Sequence, residues 1–154
     1  MEINVLIDGI EIPLGEDWLE GVARQVLVAE NTGPAVEMGL VITGQERIQE
    51  LNRTYRGRDE PTDVLAFANS AGADYPPFVT PPDGVRHLGE VIISYPQAVM
   101  QAEEHHHPVE QEIALLITHG VLHLLGYDHD EPEPEQRMRA RETEILSGIY
   151  GEEA

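Results

Sequence analysis

The chain has 154 residues, enough for one domain over residues 1–154 with a sizeable core, and its 41% apolar content is ordinary for a globular protein. No apolar run approaches the ~20 residues that span a bilayer. The opening residues 1–4 lack the basic and apolar regions of a signal peptide. We therefore expect a cytoplasmic protein with no membrane partner. The absence of cysteine excludes disulfides and leaves His, Asp and Glu to hold any metal, while a net charge of −20 repels nucleic-acid phosphates on average.

The first half of the chain alternates short strands with amphipathic helices. Residues 3–7 predict a strand that turns at Asp8-Gly9 and pairs as a hairpin with residues 10–12. Residues 16–31 predict a helix, whose buried stripe comprises Leu19, Val22, Ala23, Val26 and Leu27. The elements expected next are a strand over 36–43, a helix over 45–55, a loop over 56–62 and a strand over 63–68.

The second half opens with an irregular segment and is then mostly helical. Residues 70–87 are rich in Pro and Gly and long for a loop inside a compact domain, which predicts a mobile or functional segment. A strand over 88–94 and helices over 96–105, 108–125 and 134–148 follow. The run over residues 113–117 is apolar all round, which predicts a buried helix. The fold class is therefore α+β: a mixed sheet of four or five strands, packed with helices around a central helix over 108–125.

A metal-binding pattern lies on this central helix and just after it. His119 and His123 are four residues apart, so a helix presents both imidazoles on one face. Gly126 can end the helix in a left-handed conformation, after which His129 can turn back towards the pair. Three converging imidazoles predict an open site for one divalent ion, Zn²⁺ or Ni²⁺, with water in the fourth position. The spacing is that of metzincin proteases, but Gly120 replaces their general-base Glu, which disfavours peptide hydrolysis.

Two features near this pattern, the histidines at 105–107 and Asp128, have interpretations that do not involve direct metal binding. Consecutive helical residues point in different directions, so His105, His106 and His107 are interpreted as solvated or capping residues, with His107 as the cap of the central helix, and not as a second metal site. Asp128 either orients a ligand imidazole or is a solvated loop acid.

The nine cationic residues are all arginine, and they cluster. Four fall within twelve residues: Arg47, Arg53, Arg56 and Arg58. Three more lie near the C-terminus: Arg137, Arg139 and Arg141. The planar guanidinium suits phosphate, so the first cluster could form a basic groove on an acidic body, or it could pair with the surplus carboxylates. We favour pairing for the C-terminal three and a functional role for Arg56.

Three blocks of sequence, in order, resemble the YbeY family of bacterial endoribonucleases and rRNA maturation factors. Residues 119–129 (HGVLHLLGYDH) resemble its histidine signature, and residues 51–67 (LNRTYRGRDEPTDVLAF) resemble L-N-x-x-Y-R-x-x-D-x-P-T-D-V-L-S-F. Residues 88–94 (LGEVIIS) resemble L-G-D-I-x-I-S. The chain departs from the family pattern at Ala66, Ala68, Glu90 and Gln111, where Ser, Pro, Asp and Arg are usual.

The resemblance implies a metal-dependent, single-strand-specific endoribonuclease in maturation of the small-subunit (16S) rRNA 3′ end and in ribosome quality control. It implies that Arg56 is catalytic and that His119, His123 and His129 hold one divalent metal. The implied partners are rRNA and the small ribosomal subunit, and ribosomal proteins are possible partners too. DNA is not an implied partner. There are two alternatives: another tri-histidine metallohydrolase, or a non-catalytic ribosome-assembly factor with a structural metal. Either water or the RNA 2′-hydroxyl could be the nucleophile.

Overall fold

Four strands form one mixed sheet. The computed structural model describes residues 1–68, 85–126 and 132–150, the last range with side chains at positions 136–146. The strands in these ranges are β1 (Glu2–Ile7), β2 (Val36–Thr43), β3 (Val64–Ala68) and β4 (Arg86–Ser94), in the sheet order β1-β2-β4-β3. β1, β2 and β4 are parallel, and β3 pairs antiparallel with β4. The predicted mixed sheet is confirmed. Of the irregular segment predicted over residues 70–87, residues 70–84 lie outside the described residues.

Five helices pack around this sheet in the described parts of the chain. They are α1 (Glu16–Ala29), α2 (Gln45–Arg56), α3 (Tyr95–His105), α4 (Val109–Leu124) and α5 (Pro132–Tyr150). The buried residues of α1 are those of the predicted stripe. The α+β class is therefore confirmed. In the ranges that the structure describes, no helix has the length and apolar character needed to cross a membrane.

The predicted N-terminal hairpin is wrong. β1 pairs in parallel with β2, and residues 10–12 form no strand. The Asp8 amide donates to the Ile42 carbonyl at 2.9 Å, and Thr43 Oγ1 donates to the Asp8 carbonyl at 3.1 Å. These bonds extend the β1–β2 pairing to the point where a hairpin would turn. Gly9, with φ +70°, then leads the chain away towards α1, so β1, α1 and β2 form a parallel crossover unit.

The sheet buries apolar side chains on both faces, because neighbouring residues of β4 point in opposite directions. Val91 and Ile93 enter the larger core, which α1, α4 and α5 cover. Ile92 enters a smaller cluster with Leu65 of β3 and Ile48 of α2. α2 therefore lies on the opposite face of the sheet from α4.

The central helix is α4, as predicted, and it is buried on nearly all sides. Within residues 113–117 only Leu115 is partly exposed. Gly120 faces β4, where an added Cβ would lie 2.5 Å from Cγ1 of Val91. Because real carbon atoms do not approach so closely, glycine is what lets α4 lie against the sheet. Gly126, with φ +101°, follows the last turn in a left-handed conformation, as expected.

Candidate metal centre

His119 and His123 lie on the one partly exposed stripe of α4. Leu115, His119 and His123 are spaced by four and are half-buried, whereas the residues between them are buried. The two imidazoles therefore share one face, one turn apart, on a helix that the core holds rigidly. His129 and Asp128 lie outside the described residues. The three-histidine site thus stays a prediction, with two of its ligands placed on a common face.

A carboxylate from another helix supports the first of these ligands. Glu142 of α5 accepts a hydrogen bond from Nδ1 of His119 at 2.6 Å, and its side chain is only 12% exposed. A proton on Nδ1 makes Nε2 the basic nitrogen of the ring, so the contact fixes both the tautomer and the orientation of the imidazole. Carboxylate–imidazole pairs of this kind commonly support metal ligands. The chemistry of the donor set therefore fits a divalent ion.

The sequence pattern of α5 contains a signal for Glu142. Met138, Glu142 and Ile145 are buried and spaced by four and three, so an acidic residue occupies the apolar stripe of α5. A buried carboxylate requires a partner, and His119 is that partner. Thr143, the next residue along, lies outside this stripe: its side chain is exposed and its hydroxyl donates to the Arg139 carbonyl at 3.0 Å.

Arg141, the residue before Glu142, anchors α5 to α1. Its guanidinium donates to the carboxylate of Glu30 and to the carbonyl of Ala29, and also to Glu144 at 2.9 Å. The carboxylate of Glu30, and after it that of Glu144, raises the pKa of Arg141 above its ordinary value. The predicted ion pairing near the C-terminus is confirmed for Arg141. Its attachment to α1 holds α5 where Glu142 reaches α4.

The packing of Gly120 explains why a protease base is missing. Position 120 points into the sheet at Val91, on a different side of α4 from His119 and His123. A Glu there would have to place its charge in the apolar core. The glycine thus belongs to the contact between α4 and the sheet, and the chain lacks the Glu that metzincin proteases use as their general base at this position.

The arginine cluster divides into paired and unpaired residues. Arg47 pairs with Glu50 at 3.0 Å, and Arg53 lies 3.8 Å from Asp59, both on the exposed surface. In the described ranges no acidic side chain pairs with Arg56, which is exposed at the end of α2. Pairing thus accounts for part of the cluster, and Arg56 remains available to an external anion. Its catalytic role stays a prediction.

The histidines at the junction of α3 and α4 contact a buried carboxylate. His105 and His107 both contact Glu112, a fully buried residue in the first turn of α4. His107 is not the cap of α4, because Pro108 occupies that position. The three side chains offer ligand atoms within 4.8 Å of one another, so they could hold a metal ion.

Comparison with known proteins gives one consistent result. The sequence profile of the family described as "Endoribonuclease YbeY" matches residues 8–150. Proteins named Endoribonuclease YbeY from Dehalococcoides mccartyi and Roseiflexus castenholzii are 49% and 46% identical to the chain. The alignments cover 97% and 96% of the chain, and 90% and 95% of those proteins. The solution structure of a Thermotoga maritima protein aligns with a TM-score of 0.63 and 28% identity, over 97% of the chain and 90% of that protein.

Proposed function

Because the chain belongs to the YbeY family of endoribonucleases, we propose that it is a metal-dependent hydrolase of RNA phosphodiester bonds. The observation that carries this proposal is the contact between His119 and Glu142, at 2.6 Å. A buried carboxylate orients one imidazole beside a second imidazole on the same face of a rigid helix. This is a common way in which proteins prepare histidines as metal ligands.

In this proposal His119, His123 and His129 hold one divalent ion, with imidazoles that suit Zn²⁺ and Ni²⁺. The bound ion supplies a Lewis acid next to a phosphate group. Glu142 keeps the proton of His119 on Nδ1. Close packing of Gly120 against Val91 fixes the position of α4 on the sheet, and with it the positions of His119 and His123. These residues thus build the site before any substrate arrives, which avoids the cost of arranging it during the reaction.

Arg56 has the role of binding the phosphate and stabilising negative charge that develops on it. A net charge of −20 repels RNA over most of the protein surface, so a phosphate needs a local cation. Arg56 is exposed, and no described acidic residue pairs with it. Its guanidinium can donate two parallel hydrogen bonds to phosphate oxygens, which a lysine cannot do.

We propose further that the substrate is single-stranded rRNA at the 3′ end of the small-subunit (16S) rRNA, and that the protein serves ribosome quality control in the cytoplasm. Its partners would be rRNA and the small ribosomal subunit, with ribosomal proteins at the same surface. This part rests on the sequence blocks that the chain shares with its family. The net negative charge of the protein also supports a substrate bound to the ribosomal subunit. Free RNA is repelled by this charge, whereas RNA held on the subunit is already next to the protein.

The test is cleavage of a short RNA that spans the 3′ end of the small-subunit rRNA. Purified protein loaded with zinc should cleave the single strand and spare the same sequence annealed to its complement. A chelator should stop cleavage, and added zinc should restore it. Attack by the 2′-hydroxyl leaves a 2′,3′-cyclic phosphate, whereas attack by water does not, so analysis of the product ends identifies the nucleophile. Metal-loaded protein that cleaves no RNA would refute the proposal.

A further inference from the structure

The turn between α3 and α4 brings three potential metal ligands together. α3 ends at His105, and His106 adopts the left-handed conformation with φ 57°. The amide of His107 donates back to the Ala102 carbonyl at 3.1 Å. The chain reverses sharply here, so the rings of His105 and His107 lie 5.4 Å apart instead of pointing in unrelated directions. Pro108 then caps α4, which presents Glu112 to both rings.

The distances in this cluster are close to those around a bound ion. Nε2 of His107 lies 2.9 Å from Oε2 of Glu112, and Nδ1 of His105 lies 3.3 Å from Oε1. Bonds of ~2.0–2.2 Å to a tetrahedral ion separate the ligand atoms by roughly 3.3–3.6 Å. The His105 contact already has this value, and His107 would have to withdraw by only about half an ångström.

Hydrogen bonding alone leaves the Glu112 carboxylate incompletely satisfied. Both histidines donate to the same oxygen, Oε2, at 3.4 and 2.9 Å. Oε1 is buried and accepts no hydrogen bond from the residues that the structure describes. The Glu112 side chain is 0% exposed, and a buried carboxylate oxygen without a partner is costly. A cation among the three ligand atoms would satisfy Oε1 and neutralise the buried charge.

The cluster also gives an ion a path from solvent. The side chain of His105 is 52% exposed, whereas that of His107 is 19% exposed, so the outer side can admit an ion and complete its coordination with water. The positive end of the α4 dipole disfavours a cation at this place. Glu110 and Glu112, both in the first turn, offset that effect.

We propose that His105, His107 and Glu112 form a second divalent-metal site, for an ion of the Zn²⁺ or Ni²⁺ class. The ion joins the end of α3 to the start of α4. Glu112 precedes His119 by seven residues, which at ~1.5 Å per residue places the ion about 10 Å along α4 from the first predicted catalytic-metal ligand. The second site is thus separate from the first, and each can be removed alone.

The experiment counts zinc ions in the full-length protein after dialysis against a weak chelator. Wild type should keep two equivalents, and His105→Ala should keep one. Because His105 is half-exposed, this variant should fold as well as wild type. Glu112→Gln, which removes the ligand charge, should also keep one. His106→Asn is the matched control, since it changes the exposed histidine between the ligands and tolerates the left-handed conformation; it should keep two.

A second readout does not depend on the count. Zinc should raise the melting temperature of His123→Ala through the proposed second site, and this rise should disappear in the double variant His105→Ala/His123→Ala. Equal zinc content in wild type, His105→Ala and Glu112→Gln would overturn the proposal. A single equivalent that is lost in His105→Ala and kept in His123→Ala would support the second site and refute the first.

Discussion

α4 carries a histidine–carboxylate group towards each end, and the two groups are built in opposite ways. In the N-terminal group (His105, His107, Glu112) the carboxylate belongs to α4 and the histidines to the preceding turn, only five and seven residues away. In the C-terminal group (His119, His123, Glu142) the histidines belong to α4, and the carboxylate arrives from α5, 23 residues beyond His119. The first group is local, whereas the second depends on the docking of α5.

This difference predicts which perturbations each group withstands. Local contacts at the α3–α4 turn should persist as long as the two helices remain formed. The contact between His119 and Glu142 needs α4 seated on β4 and α5 anchored to α1 through Arg141. A change in tertiary packing should therefore disturb the C-terminal group first.

The largest effect is expected at Arg56, which should separate catalysis from metal binding at the C-terminal group. Arg56→Ala should reduce RNA cleavage about 10²–10³-fold, the range found when one stabilising donor is removed from an active site. Zinc content should not change. Arg56→Lys should recover only part of the rate, because it loses the two-pronged hydrogen bonding. Arg47→Ala, on the same helix, is the control. Equal rates for wild type and Arg56→Ala would make Arg56 an ordinary surface residue.

The next effect is expected at Gly120, which lies between the two histidines of the C-terminal group. Gly120→Ala places a Cβ within 2.5 Å of Val91 Cγ1 and should lower the free energy of unfolding by about 1–3 kcal/mol, as overpacked cores do. Chemical denaturation measures this. Val91→Ala should relieve the clash, so the double variant should lose less than the sum of the single changes. Strictly additive losses would show that the close approach of α4 to β4 is not what Gly120 permits.

A third prediction isolates the long-range carboxylate. Glu142→Ala should weaken zinc binding at the C-terminal group about 10–100-fold, because the supporting partner of His119 is lost. The N-terminal group should keep its zinc affinity, since it shares no residue with Glu142. Arg137→Ala, at an exposed position of the same helix, is the control. Competition with a chromogenic chelator measures both affinities, and unchanged zinc binding in Glu142→Ala would show that Glu142 does not position His119.

The smallest effect is expected at the local turn. His106→Gly should raise the free energy of unfolding by up to about 1 kcal/mol, because glycine adopts the left-handed conformation without the penalty that other residues incur. Thermal unfolding measures this in the metal-free protein. A loss of stability would mean that the His106 side chain makes contacts that outweigh its backbone strain.

Local periodicity explains what could be read from the sequence. Three local predictions are confirmed: the common helix face of His119 and His123, the buried stripe of α1 and the bounds of β2. Each depends only on neighbouring residues. The false hairpin shows the limit of local signals. Asp8-Gly9 does mark the end of a strand, but whether that strand pairs with residues 10–12 or with β2 depends on distant residues.

The two carboxylates were missed for different physical reasons. Glu142 lies on the apolar stripe of α5, a visible anomaly, but its partner His119 comes from another helix. The role of Glu112 was missed because residues 105–107 were treated as consecutive residues of one helix. The left-handed His106 breaks that assumption, because it reverses the chain and brings two histidines to one carboxylate. Asn and Gly are the usual signals of such a reversal, and His is not.

The most direct measurement of the central claim is zinc content and RNA cleavage in the same preparations of wild type and His123→Ala. His87→Ala serves as the control, because His87 contacts Glu37 and lies outside both groups. We predict that His123→Ala loses one equivalent of zinc and all cleavage above background, while His87→Ala loses neither. Full cleavage by His123→Ala, or an unchanged zinc content in that variant, would contradict a catalytic metal held on α4.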